Sequence, residues 1–186
     1  VSNGTSALHV AYLALNLKQG DEILLPGFGY LAAANIARLM GLDIKFVDVD
    51  YDTYCMNFAD LKQKVSKNTK AVVFIHTYGN GGDIKKTAHF LKQKKICLIE
   101  DAADSSGAVY KGKKLGSFGD LSTFSFFYTH IMTTIEGGMV CTNDANLYNL
   151  AKLFRSHGMT REAHPNLQEF YKIRYPKLNP LFTFAV

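Results

Sequence analysis

Short, unbroken apolar runs alternate along this chain with longer stretches in which apolar residues recur every three or four positions. The runs at 22–25, 44–47, 71–75, 96–99, 121–126 and 138–142 are too short for helices and are bounded by turn residues. That is the pattern of strands buried on both faces. Pro26 stops the first of them, and the fourth ends in Glu100-Asp101. The periodic stretches predict helices at 7–17 with Thr5 or Ser6 as cap, and at 31–40, closed by Gly41. Three more are predicted behind the caps Asn57, Asp83 and Asp144. Val109 to Leu115, with Gly112 at its centre, reads as a hairpin. The acidic run from Asp48 to Asp52 lacks the Gly and Glu of a calcium loop and reads as a strand end followed by a turn. From Gly158 onward the periodicity fades, and 158–186 reads as an irregular excursion.

Strand, loop, helix, strand at this spacing makes βαβ units. The expected fold is α/β, a three-layer sandwich with a mostly parallel sheet between helices. Ligands in such sheets sit outside the carboxyl ends of the strands. Tyr30, His76, Asp101 and Ser125 fall at those ends, and His130 follows Ser125 by five residues.

Composition adds little beyond a globular class. The chain of 186 residues is 47% apolar, fits one domain with a sizeable core, and has no apolar run long enough to span a bilayer. The net charge of +5 is spread over scattered lysines, with no basic stripe or nucleic-acid motif. No nucleic-acid or membrane partner is therefore expected, and the modest positive field suits an anionic small substrate. Cys55, Cys97 and Cys141 are far apart and odd in number, and read as buried free thiols of a reducing compartment.

The chemistry sits at the strand ends. Asp101 closes an apolar strand, and a buried carboxylate needs a cation or good hydrogen bonds. The ring nitrogen of a pyridinium cofactor is one such partner. The helix entrance Gly4-Thr5-Ser6, with Ser125, could then hold a phosphate, and Tyr30 could stack on the ring. The plain alternatives are an ordinary N-cap and a core strand followed by a polar loop. A metal site is disfavoured because His76, Asp101 and His130 lie on separate elements. A Ser–His–Asp hydrolase is disfavoured because Ser125 lacks the Gly-x-Ser-x-Gly elbow.

These motifs together resemble the DegT/DnrJ/StrS sugar aminotransferases, a family of fold type I pyridoxal-phosphate (PLP) enzymes. The resemblance rests on Ser2-Asn3-Gly4-Thr5-Ser6-Ala7-Leu8-His9, Thr77-Tyr78-Gly79, Glu100-Asp101-Ala102-Ala103, Gly116-Ser117-Phe118-Gly119-Asp120, Phe124-Ser125-Phe126, Glu136-Gly137-Gly138 and Arg155-Ser156-His157-Gly158. It implies that Thr5, Ser6 and Ser125 bind the cofactor phosphate, that Tyr30 stacks on the ring, and that Asp101 pairs with the ring nitrogen. It also implies a large cofactor-binding domain at 1–157, incomplete at its N-terminus, with 158–186 leading towards a small C-terminal domain. A cytoplasmic homodimer with shared active sites, a nucleotide-linked sugar substrate and a place in lipopolysaccharide or deoxysugar synthesis complete the expectation.

One departure outweighs the matches. Where the aminotransferases carry the Lys that links covalently to the cofactor, this chain has His130. An imidazole forms no stable link of that kind, but it is an acid or base with an ordinary pKa of about 6.5. The pattern is similar to that of a His-bearing branch, the nucleotide-sugar 3-dehydratases. These hold pyridoxamine phosphate (PMP) non-covalently and remove the C3 hydroxyl of 4-keto-6-deoxy hexoses, which implies His130 as the base. Asp104 adds to the likeness, since that branch also tends to carry an acid three residues after the Asp, and it joins the cofactor-binding candidates. Ile131 departs from the branch, which often has a second His there, and the absence of cysteine from 142–186 argues against an iron–sulfur type. Two other readings stay open: an aminotransferase lineage whose Lys has been replaced, and a non-catalytic member of the fold.

Overall fold

The computed structural model describes residues 1–179 and 183–184. Its centre is a six-stranded sheet in the order β2-β1-β3-β4-β7-β8. The strands are β1 (Glu22–Pro26), β2 (Asp43–Val47), β3 (Thr69–Ile75), β4 (Cys97–Asp101), β7 (Leu121–Ser125) and β8 (Gly138–Cys141). β8 is antiparallel to β7, and all other pairings in the sheet are parallel. A separate hairpin, β5 (Val109–Tyr110) and β6 (Lys113–Lys114), turns through Lys111 and Gly112, both at positive φ. This is the expected α/β fold.

Helices α1 (Gly4–Ala14), α2 (Ala32–Leu39) and α5 (Ala145–Arg155) cover one face, and α3 (Phe58–Lys64) and α4 (Ile84–Lys94) cover the other. Strand alternation divides the core accordingly. Val73 and Ile99 pack under α1 and α2 with Leu8, Tyr12 and Ile36, while Val72, Phe74 and Leu98 meet Leu61, Ile84 and Leu91. At the amino edge Glu22 accepts from Ser66 and Thr69 hydroxyls and pairs with Lys45 Nζ at 2.7 Å, which ties β1 to β2 and β3.

Two expectations are corrected. Helix α1 begins at Gly4 rather than at residue 7, because Asn3, in an extended conformation, is the cap and its Oδ1 accepts from Ser6 N–H at 2.8 Å. The stretch from 158 is not irregular throughout. It contains α6 (Pro165–Arg174), started by His164, whose Nδ1 accepts from Asn166 N–H, and by Pro165 with its preset φ. None of the residues of α6 is buried, so there was no apolar stripe to read. The three cysteines are free; Cys55 is buried, and Cys97 and Cys141 are half-buried.

Candidate active site

The strand order turns back at β1, whose neighbours are β2 on one side and β3 on the other. Outside the carboxyl ends of β1, β3, β4 and β7 lies a cavity of about 530 Å3 lined, among others, by Thr5, Tyr30, Asp101, Asp104, Ser125 and His130.

One wall is the start of α1. The N–H groups of Gly4 and Thr5 meet no acceptor among the described residues, as the first turn of a helix requires unless a ligand supplies one. They lie against the end of β7: a Cβ on Gly4 would sit 2.8 Å from Ser125 Cβ. Only glycine allows this approach, which brings two N–H groups and the Thr5 and Ser125 hydroxyls into one concave corner. Gly4→Ala is expected to force the helix away from the sheet at a cost of about 1–3 kcal/mol, the usual penalty of overpacking, measurable by thermal denaturation. Ser6 stands apart. It does not line the cavity, and its hydroxyl is 2.9 Å from that of Ser2.

The floor is Asp101. Its Oδ1 accepts from Ala103 N–H at 3.1 Å, and no lysine or arginine pairs with it among the described residues. Burial pushes the carboxyl up to about 6, against the pull of the Ala103 hydrogen bond and with a further push from the Asp104 charge. The charges of His76 and His130 draw it down a little, but among the described residues this acid makes no ion pair. The same burial, with the Asp101 charge, raises the phenol of Tyr12, whose hydroxyl donates to Ala33 O at 3.1 Å.

Tyr30 lines the mouth, 80% exposed, and its approach is set by Gly29. Gly29 has a φ of +146, and a Cβ there would meet Ile75 Cδ1 at 2.6 Å. His130 comes from the loop after β7, held by its N–H on Phe127 O at 3.0 Å. Its Nδ1 is 3.1 Å from Asp104 Oδ1, and the side chains are 18% and 47% exposed.

His76 does not join this group. It shares the β3 parity of Val72 and Phe74, so its ring points to the opposite face, where it is fully buried and its Nε2 meets Glu100 Oε2 at 2.7 Å. Glu100 also accepts from Gly116, Phe118 and Gly119 N–H groups. Burial alone would raise this carboxyl, but the His76 and Gly119 hydrogen bonds, the His76 charge and Gly116 together hold it below the usual carboxylate range.

Sequence reasoning overlooked two features of the rim. Asn3 lines the cavity as well as capping α1. Tyr78 lines it in the left-handed region, at φ 54 and ψ 28, a conformation costly for a non-glycine residue and characteristic of functional sites. The Tyr-Gly dipeptide within Thr77-Tyr78-Gly79 was the available signal.

Comparisons with known proteins show what this chain is similar to. The model of the DegT/DnrJ/EryC1/StrS aminotransferase family matches residues 1–174. A GDP-perosamine synthase of Escherichia coli O157:H7 is 44% identical over 159 residues, covering 86% of this chain and 44% of that protein. A GDP-4-keto-6-deoxy-D-mannose 3-dehydratase of Escherichia coli O55:H7 is 35% identical over 167 residues, covering 87% and 43%. Among solved structures, an E. coli GDP-4-keto-6-deoxy-D-mannose-3-dehydratase with bound hydrated PLP superposes with a TM-score of 0.82 at 32% identity, covering all of this chain and 46% of that one. The chain thus spans less than half the length of these relatives.

Proposed function

Because this chain belongs to the DegT/DnrJ/EryC1/StrS aminotransferase family, we propose that it is the cofactor-binding part of an enzyme that dehydrates C3 of a nucleotide-linked 4-keto-6-deoxy hexose, with His130 as the base. The observation that carries this reading is the imidazole itself. His130 lines the cavity beside Asp101 and Asp104, and no lysine stands among the described lining residues. Among the described residues, the site has a proton carrier and no amine for a covalent link.

The residues present fit PLP or its amine form, PMP. The corner of Gly4 and Thr5 N–H groups with the Thr5 and Ser125 hydroxyls suits a phosphate dianion near the positive end of a helix. The buried carboxyl of Asp101, which makes no ion pair among the described residues, suits a protonated ring nitrogen. When bound, PMP would supply an amine for the substrate ketone and a ring that accepts electrons. Asp101 would keep that ring protonated, and exposed Tyr30 would offer a stacking surface at the mouth. His130 would hold at Nε2 a proton taken from elsewhere in the site and would give it to the C3 hydroxyl, which leaves as water. The reading extends to a homodimer whose partner subunit completes the site, and to a division in which 1–157 is the large domain.

A second reading has its own support. Identity to the perosamine synthases reaches 44%, against 35% for the first dehydratase. That favours descent from an aminotransferase in which His130 has replaced the linking Lys.

One experiment separates the two. The full-length protein is loaded with PLP, reduced with borohydride, mapped by mass spectrometry and assayed on 4-keto-6-deoxy nucleotide sugars. Bound cofactor without an adduct, and C3 dehydration lost in His130→Asn, is the expected result. An adduct on some lysine, or transamination in its place, moves the second reading to first. His130→Lys is expected to create a covalent cofactor absorbance and abolish dehydration. No such absorbance would count against this placement of the cofactor.

A further inference from the structure

Asp104 and His130 are 26 residues apart and come from two different loops. Asp104 sits in the turn after β4, where Ser105 N–H and Oγ both bond Ala102 O, at 3.1 and 3.2 Å, and Ser105 is buried. His130 sits in the loop after β7, fixed by its own N–H on Phe127 O and by Thr134 N–H on Phe126 O at 2.9 Å, with its ring edge-on to Phe127 at 6.3 Å. Each turn is closed by its own hydrogen bonds just past its strand, Ala102 N–H also donates to Thr123 O of β7 at 2.8 Å, and the 3.1 Å approach of carboxylate to Nδ1 joins two held positions.

A carboxylate oxygen can only accept, so it stabilises a proton on Nδ1. In a neutral imidazole a proton on Nδ1 leaves the lone pair on Nε2, which has no partner among the described residues. We infer that Asp104 is the positioning residue of His130: its carboxylate fixes the tautomer with Nδ1 protonated and so presents Nε2 as the basic atom. This assigns Asp104 to the histidine through Oδ1 rather than to a cofactor alone, and it rests on the reading of His130 as the base. Free imidazole favours the opposite tautomer, so without Asp104 most neutral His130 would carry its proton on the nitrogen that must be bare.

The test reads the tautomer directly. Full-length protein labelled with 15N-histidine is examined by long-range 1H–15N correlation, with His130→Asn used to assign the signal. The neutral form of His130 is expected to carry its proton on Nδ1. In Asp104→Ala it is expected to shift to Nε2–H, and Asp104→Glu is expected to restore Nδ1–H. Dehydration in Asp104→Ala should fall about 10–100-fold in kcat, with KM for the sugar little changed, the usual effect of losing an orienting partner. Asp104 is half-exposed, so the melting curve should stay in place. A tautomer unmoved by Asp104→Ala overturns the inference. Dehydration that persists in His130→Asn overturns the base reading instead and leaves the tautomer result standing.

Discussion

Glu100→Gln is expected to destabilise the protein by about 3–5 kcal/mol, the cost of breaking a buried pair by removing one partner. The wild-type carboxylate takes the His76 ring N–H and three backbone N–H groups on its two oxygens. A glutamine amide has one accepting oxygen, and its NH2 would face donors that need an acceptor. The buried His76 Nε2 would lose its carboxylate partner, and the loop from Gly116 to Gly119 would lose its anchor. A melting temperature lower by roughly 10 °C, with an unchanged denaturant slope, is the expected readout. Equal stability of variant and parent would show that the pair is not a structural clamp.

Asp101→Asn is expected to act with opposite signs on stability and on turnover. The unfolded aspartate has a pKa near 3.9, and burial lifts the folded one to about 6. Between these values the folded state binds the extra proton, so stability falls as pH rises from about 4 to 6 and is level above. Asparagine carries no charge to bury and its oxygen can still accept from Ala103 N–H. The cofactor-free variant should therefore gain up to about 3 kcal/mol above pH 6, from roughly two pKa units at 1.36 kcal/mol each. Turnover should fall by about 100-fold or more, because an amide cannot hold a ring nitrogen protonated by charge. Chemical denaturation of both forms at pH 4 and pH 7 checks the first half. Two curves that differ equally at both pH values would refute it.

The centre of the sheet was legible because parallel strands buried on both faces read as plain apolar runs, as Ala71 to Phe74 does, whereas the edge strands β2 and β8 are largely exposed or half-buried. Asp101 stood out for the same reason, as a charge at the end of such a run. The side of the sheet on which each strand-end residue points was also open to reading: His76 follows Phe74 by two positions and so shares its face, away from Ile75 and the cavity. Convergence at the strand ends concealed that distinction. Helix α6 escaped because periodicity reports burial, and that helix buries nothing; the His164-Pro165 pair was its only sign. The nearness of Asp104 to His130 had no local signal, since only the pairing of β4 with β7 brings their loops together.

The corner formed by Gly4, Thr5 and Ser125 has a consequence for synthesis. Its two halves are about 120 positions apart in the chain, and the approach is locked further along, where Gly138 N–H donates to Val1 O at 3.0 Å and a Cβ on Gly138 would overlap Asn3 O. During translation α1 emerges before β7, and its bare N–H groups have nothing to close against until β7 and the Gly137-Gly138 turn have left the ribosome and docked. Closing so long a loop is the slow part of folding. A nascent chain should thus become able to retain a phosphate-bearing ligand in a single late step rather than by degrees, and ribosome-stalled chains in which residue 138 is still inside the exit tunnel and chains in which it has emerged should fall on opposite sides of that step.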